Sequence, residues 1–370
     1  MAVHIRDPRL TSTRAAHSLR RTPDSGISPS DTILALQRLA GNSAVTAVLQ
    51  RSRTATAKPF KKEHYPLSTD PVVIVKERKP TKKQPQGMAK VEADPSTFAA
   101  EILDDAKLPA NWFDSFTSGG TFLGWTIRDP IHTDLAEHLR TVETDLAKTY
   151  GGPDCDPVIA GRALGLTEEI IGSRDHPTSA KISMHLFGLA VDLNYTANPM
   201  INRGSEEQAI FKRAGQLVNG SPATYTPGMS YDEIAALDAI ITKYFSYLDE
   251  SKEAELKKRI EASTVSKWQG MEVADARTLI QSDVDTMTGL WERRKSTDQI
   301  SLIQAGGFLD LKKELVKGMK MSWGGQEYGD MMHFDLRDQG NGQKIHEAIG
   351  RYNTRKAEES KQAWTAAHPS

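Results

Sequence analysis

A single cysteine, Cys155, among 370 residues excludes an internal disulfide, so the fold does not depend on an oxidising compartment. No apolar run approaches the roughly 20 residues that would span a bilayer. The N-terminus, MAVHIRDPRLTSTRAAHSLRR, is basic but lacks the apolar stretch of a secretory signal. The expectation is a chain made in the cytoplasm, with no transmembrane segment. No internal repeat is visible, which excludes repeat architectures. What remains is 38% apolar and 26% charged, with a mean hydropathy of −0.49, as in a soluble globular protein carrying much polar sequence outside its core. The length allows one large domain or two ordinary ones.

The net charge of −1 hides an asymmetry. Residues 1–90 hold 17 Lys and Arg against 6 Asp and Glu, and the rest of the chain is net acidic by a similar margin. A basic arm precedes an acidic body. Such an arm is either a solvated, disordered tail or a contact for an acidic protein face, an anionic membrane or nucleic acid; nucleic acid is the partner least expected here.

Residues 1–28 are polar and aperiodic. Ser30-Asp31 then leads into TILALQRLAGNSAVTAVLQR, where Ile33, Leu34, Leu36 and Leu39 form one apolar group and Val45, Val48 and Leu49 another. Gly41-Asn42 between them interrupts or bends a helix. This amphipathic segment, residues 31–51, is too short to be stable without a partner. Residues 52–92 read as linker, apart from a short strand at Val72–Val75. The globular part is expected to begin near Asp94. Trp112, Phe113, Phe116, Phe122 and Trp125 supply core, and residues 153–182 look loop-rich. Thr133 caps a helix carrying Leu135, Leu139, Val142, Leu146 and Tyr150 on one face, ended by Gly151-Gly152. Leu189–Asn194 and Met331–Leu336 read as short buried strands. Between them lies a long helical stretch. It includes a capping box at Ser230 and Glu233, a helix through Ile234 to Leu248, another carrying Ile280, Val284, Met287 and Trp291, and a third over Leu309–Met319. A last helix starts near Lys344 and frays.

Two half-motifs carry chemistry. In Ser183-Met-His185-Leu-Phe-Gly188-Leu-Ala190-Val-Asp192 the histidine and the aspartate are seven residues apart and cannot share one face of a continuous strand, because side chains alternate with period two. They converge if the chain turns between them, which Gly188 permits; small Ala190 leaves room beside Asp192. The second segment, Trp323-Gly-Gly-Gln-Glu-Tyr-Gly-Asp330-Met-Met-His333-Phe-Asp335, places an acid three residues before a histidine. Two histidines and one carboxylate with a fourth position open to water make a catalytic zinc site rather than a structural one. Zn²⁺ lowers the pKa of its water to about 7 and polarises a carbonyl, and Asp330 is placed as the general base.

The first segment resembles the SxHxxGxAxD signature of the M15 family of zinc peptidases, which includes D-Ala-D-Ala carboxypeptidases, dipeptidases and L-alanyl-D-glutamate endopeptidases. Ser183, His185, Gly188, Ala190 and Asp192 occupy every position. The second segment is similar to that family's closing WGG…DxxHF motif. The resemblance covers roughly residues 120–340. It implies that His185, Asp192 and His333 bind zinc and that Asp330 is the base, a position where some members carry Glu. It also implies an upstream arginine holding the substrate, for which Arg162 and Arg174 are both candidates. The fold implied is α+β, a small antiparallel sheet with surrounding helices. To this the chain adds a helical insertion at about 200–305 and a disordered N-terminal arm. The organisation expected is an arm at 1–92, a peptidase domain at 93–360 and a tail at 361–370.

Around this set, Asp335 alternates onto the His333 side of its strand and either supports that ligand or makes a surface salt bridge. Trp323 either lines the cleft or belongs to the core. Ser183 is expected to hydrogen-bond near the site, and His176 to be a loop histidine.

The segment LQRLAGNSAVTAVLQR resembles a short motif near the N-termini of actinobacterial proteins associated with extracellular contractile injection systems. That resemblance implies cargo docked through Leu36, Leu39, Val45 and Leu49 onto a particle component or loading factor. The leading expectation is a zinc peptidase acting on peptidoglycan stem peptides and carried by such a particle. The alternatives are an intracellular or lysis-released D-Ala-D-Ala dipeptidase or carboxypeptidase, and an interaction protein that binds wall peptide without cutting it.

Overall fold

The computed structural model describes Leu67 and residues 70–173, 182–201, 204–291 and 307–369. The amphipathic segment at 31–51, with Leu36, Leu39, Val45 and Leu49, lies outside the described residues, as do Arg174 and His176.

Regular structure is present before Asp94. Strand β1 (Val72–Val75) pairs antiparallel with β2 (Val91–Ala93), and the bridges Arg78 to Met88 and Thr81 to Gln84 continue the hairpin between them. The expected strand at Val72–Val75 is therefore one arm of a hairpin, and the described residues after it that read as linker are its turn and second arm. Its polarity misleads because only Ile74 and Gly87 within it are buried; the hairpin is held instead by docking on the chain's last helix. There the Ala89 amide donates to the Ser360 carbonyl, and the buried Ser360 hydroxyl donates back to the Ala89 carbonyl at 2.6 Å. That helix runs unbroken from Gly340 to Ala367, into the segment expected as a tail at 361–370.

Helix α1 (Pro95–Asp105) begins at the Asp94 cap, with proline in its first turn where no amide hydrogen is needed. Two small antiparallel pairs follow, β3 (Phe116–Thr117) with β6 (Ile131–His132), and β4 (Thr121–Phe122) with β5 (Trp125–Thr126). Trp112, Phe116 and Phe122 are buried there, as expected of core. Helix α2 (Thr133–Tyr150) is capped by His132, not Thr133: Nδ1 of His132 accepts the Asp134 amide at 3.1 Å. Within the stretch read as loop-rich, Pro157–Ala163 form helix α3.

Among the described residues the helical insertion contains α4 (Ser205–Asn219), α5 (Tyr231–Ser246), α6 (Glu253–Ala262) and α7 (Val273–Leu290). The capping box of Ser230 and Glu233 is formed. Phe211, Ile234, Leu237, Ile241, Tyr244, Phe245, Ile280, Val284 and Met287 are buried. Buried Asp283 on α7 receives both the Arg213 guanidinium of α4 and the Tyr244 hydroxyl of α5, so its charge is satisfied in the core. Helix α8 spans only Lys313–Gly318, not Leu309–Met319. The amides of Phe308 and Leu309 go to Asp238 and that of Asp310 to Asn198, which holds the preceding residues out of the helix.

A three-stranded antiparallel sheet carries the two half-motifs. Its order is β7 (Ala190–Asp192), β9 (His333–Asp335), β8 (Ser322–Trp323). A short helix, α9 (Gly324–Glu327), follows β8, and the chain closes with α10 (Gly340–Ala367). The fold is α+β, predominantly helical with small antiparallel sheets. Among the described residues no helix is long and apolar enough to cross a membrane.

Candidate metal centre

His185 is set by a tight turn. Residues Met184–Phe187 form a 3₁₀ turn capped by Ser183, whose hydroxyl accepts the His185 amide at 3.3 Å, the local hydrogen bond expected of that serine. Gly188 ends it in the left-handed region at φ 68°. A β-carbon at Gly188 would lie 2.6 Å from the His132 amide nitrogen and 2.7 Å from the Phe116 ring, so both the backbone angle and the close approach require glycine. The Trp112 indole donates to the Phe187 carbonyl at 3.1 Å and stacks flat on His132, anchoring the turn to the aromatic cluster.

Register brings the other residues in. Asp192 pairs directly with His333, Val191 with Phe334 and Ala190 with Asp335. Directly opposed residues share a face, so Asp192, His333, Ala190 and Asp335 project together while Val191 and Phe334 fill the core behind them. Ala190 faces Asp335, and its small side chain leaves that carboxylate space to reach His333.

Three atoms converge. Nε2 of His185 lies 3.0 Å from Oδ1 of Asp192 and 3.0 Å from Nδ1 of His333, and the latter two are 3.2 Å apart. Each histidine uses its other nitrogen outside the cluster: Nδ1 of His185 donates to the Gly172 carbonyl at 2.6 Å, and Nε2 of His333 to Asp335 at 2.8 Å. Carbonyl and carboxylate oxygens only accept, so those nitrogens carry the protons. With both imidazoles neutral, three lone pairs face one another at a point where His185 is 2%, Asp192 1% and His333 4% exposed.

Such an arrangement is relieved by a cation. Burial opposes ionisation of Asp192, but the charges and hydrogen bonds of His185 and His333 outweigh it and hold the carboxylate well below its ordinary range. Burial likewise disfavours protonated His333, but hydrogen bonds to Asp192 and Asp335 more than offset it and push its pKa up to about 10, so a proton on Nδ1 meets the same demand for positive charge that an ion would, and an ion would bind by displacing that proton. Four-coordinate zinc, with bonds of about 2.0–2.1 Å, has ligand-to-ligand edges of roughly 3.3 Å, so donors 3.0–3.2 Å apart are spaced to share one ion. The donor set of two imidazoles and a carboxylate is compatible with zinc, and His185, Asp192 and His333 form a group able to hold a metal ion.

The surroundings hold what the sequence reading left open. Asp335 is fully buried and accepts from His333, so it does not form a surface salt bridge. Arg337 grips the same carboxylate with Nε at 2.8 Å and Nη2 at 2.5 Å. Nη2 of Arg337 also reaches the Tyr328 hydroxyl at 3.3 Å, and the guanidinium lies over the Tyr328 ring. Burial, followed by the charges of Asp335 and Asp330, pushes the Tyr328 phenol far above its usual range, so it stays protonated.

Trp323 belongs to the core. It is buried, its indole donates to the Met331 carbonyl at 2.8 Å, and its ring packs beside Tyr231. Asp330, half-buried, lies on the turn entering β9. The amides of Tyr328, Gly329 and Asp330 all point at the Gly324 carbonyl, and the His333 amide donates to the Asp330 carbonyl at 3.3 Å. A β-carbon at Gly324 would sit 2.7 Å from that same Asp330 oxygen and 3.0 Å from the His333 β-carbon, so glycine there lets the turn close against the ligand strand. Met200, an exposed apolar residue, is the cross-strand partner of Asp330, so the two side chains leave the same face. Arg162 is exposed on α3, and no hydrogen bond or ion pair among the described residues joins its side chain to the cluster.

Sequence reasoning did not single out Gly172, Tyr328, Arg337 or Met200. Alternation along β9 does put Arg337 on the face of His333 and Asp335, a usable signal. Gly172 acts through its backbone carbonyl, which no side-chain pattern reveals. No family model, curated protein or solved structure matches the chain.

Proposed function

We propose that this chain is a zinc-dependent peptidase that hydrolyses peptide bonds in peptidoglycan stem peptides. The observation that carries the reading is the convergence of Nε2 of His185, Oδ1 of Asp192 and Nδ1 of His333 at one buried point, with Asp330 on the turn that delivers His333. The substrate class is supported by the resemblance of Ser183–Asp192 and Trp323–His333 to the peptidase signature.

His185, Asp192 and His333 would hold the ion. Bound zinc supplies a Lewis acid and a water acidic enough to attack at neutral pH. Asp330 takes the proton from the attacking water and passes it to the leaving amine. Asp335 keeps His333 in the tautomer whose Nδ1 lone pair faces the cluster.

The test is digestion of purified sacculi with zinc-loaded protein, followed by mass spectrometry of the released fragments. The expected result is chelator-sensitive cleavage within the stem peptide, the fragment mass naming the bond. Turnover of free D-Ala-D-Ala with intact sacculi would replace this reading with the dipeptidase one. Saturable binding to sacculi with no cleavage would make the chain a wall-binding protein.

The same proposal includes delivery by a contractile injection particle. Its support is the motif-like segment with its paired apolar groups, a pattern that gains stability by burying one face in a partner groove. Substituting Leu36, Leu39, Val45 and Leu49 together with Ser is expected to abolish co-purification with particles and leave hydrolysis unchanged. Packaging at the wild-type level would refute the docking role.

A further inference from the structure

We infer that Arg337, backed by Tyr328, is a positioning residue for the metal: by clamping Asp335 it fixes which nitrogen of His333 faces the ion and so sets how tightly the ion is held. This rests on the metal-centre reading above and names residues which that reading does not require.

The geometry is a chain of contacts with no slack. Oδ1 of Asp335 accepts the Arg337 amide at 3.0 Å and Arg337 Nε at 2.8 Å. Oδ2 accepts Arg337 Nη2 and, at 2.8 Å, Nε2 of His333. Both carboxylate oxygens are thus committed, and the carboxylate plane is set by the two-pronged guanidinium. A fixed plane leaves one direction for the His333 bond, and that bond fixes the tautomer and rotation of the imidazole. Nδ1 then points at Asp192 and Nε2 of His185. Arg337 is itself held, with Nη2 on the Tyr328 hydroxyl and the guanidinium 5.0 Å from the centre of the Tyr328 ring.

Without the fork, Asp335 would remain a fully buried carboxylate able to turn about its own axis, and His333 would lose its constraint without losing any ligand atom. Lysine in its place keeps the charge but offers a point donor that cannot define a plane. Structural stability and metal positioning are separable, because loss of a purely structural ion pair would lower the melting temperature of the metal-free protein and leave the zinc constant of the folded protein alone.

The experiment measures zinc affinity of the full chain by competition with a chromogenic chelator, and the visible spectrum of the cobalt-substituted protein, for wild type, Arg337→Lys and Arg337→Ala. Loss of an outer partner to a metal-bound histidine costs about 10–100-fold in affinity. The expected result is a zinc constant weakened toward 100-fold in Arg337→Ala and by about 10-fold in Arg337→Lys, with an altered cobalt spectrum in both. Arg337→Lys keeps the test decisive where the alanine variant does not fold. Zinc binding in the folded variants as tight as in wild type, or tighter, would overturn the inference while leaving the metal-centre reading intact. A wild-type chain that takes up neither zinc nor cobalt would overturn that reading itself.

Discussion

Replacing His185 or His333 with alanine is expected to empty the metal centre and abolish hydrolysis together. Each supplies one of three converging donor atoms, and among the described residues no other His, Cys, Asp or Glu joins that group. The loss should exceed the roughly 10–100-fold that removing a ligand's outer partner costs. Elemental analysis should therefore fall from about one zinc per chain to near zero, in step with activity. His132 supplies the control. It is also a buried histidine, but it stacks on Trp112 and caps α2 through Nδ1, away from the ligand set. His132→Ala should lower the melting temperature, as loss of a helix cap does, and retain the metal. Full zinc occupancy in His185→Ala or His333→Ala would remove that residue from the ligand set.

These residues were legible because each half-motif carries a physical constraint that shows in the sequence. A histidine and an aspartate seven apart meet only through a turn, and Gly188 is the one residue between them able to take φ 68° at no steric cost. The capping box at Ser230 and Glu233 and the apolar spacing of α2, α5 and α7 were legible for the same reason: local rules suffice. What escaped depends on partners distant in the chain. Val72–Val75 shows as a strand, but the rest of its hairpin, to residue 92, reads as linker because its stabilising contacts, such as Ala89 to Ser360, lie on a helix 271 residues away. The cap of α2 is a histidine, uncommon there, favoured because His132 is already held by Trp112 and by the Gly188 carbonyl. The outer support of His185 is a backbone carbonyl, at Gly172. Any residue type offers one, so it leaves no trace in composition or spacing.

Asp330→Asn should separate chemistry from metal binding. The substitution conserves volume and hydrogen-bonding shape but removes the basic oxygen, and Asp330 lies outside the group of three donors. The turn that carries it is built from backbone contacts, with three amides on the Gly324 carbonyl and the His333 amide on the Asp330 carbonyl, none of which depends on the carboxylate. The variant should therefore fold, bind about one zinc per chain as tightly as wild type, and give the same cobalt spectrum. Turnover should fall by ~10²–10⁴-fold, the contribution of a positioned general base, or roughly 3–5 kcal/mol in the barrier. The fall should appear in kcat more than in KM, because a base acts on the transition state and not on the bound peptide. Asp330→Glu moves the carboxylate outward by one methylene and should recover part of the rate, which a residue needed only for the turn would not do. Near-wild-type turnover in Asp330→Asn would pass the role to Glu327, exposed at the end of α9 on the same connection. Loss of zinc together with rate would instead make Asp330 a fourth ligand and leave the centre without a free base on this turn.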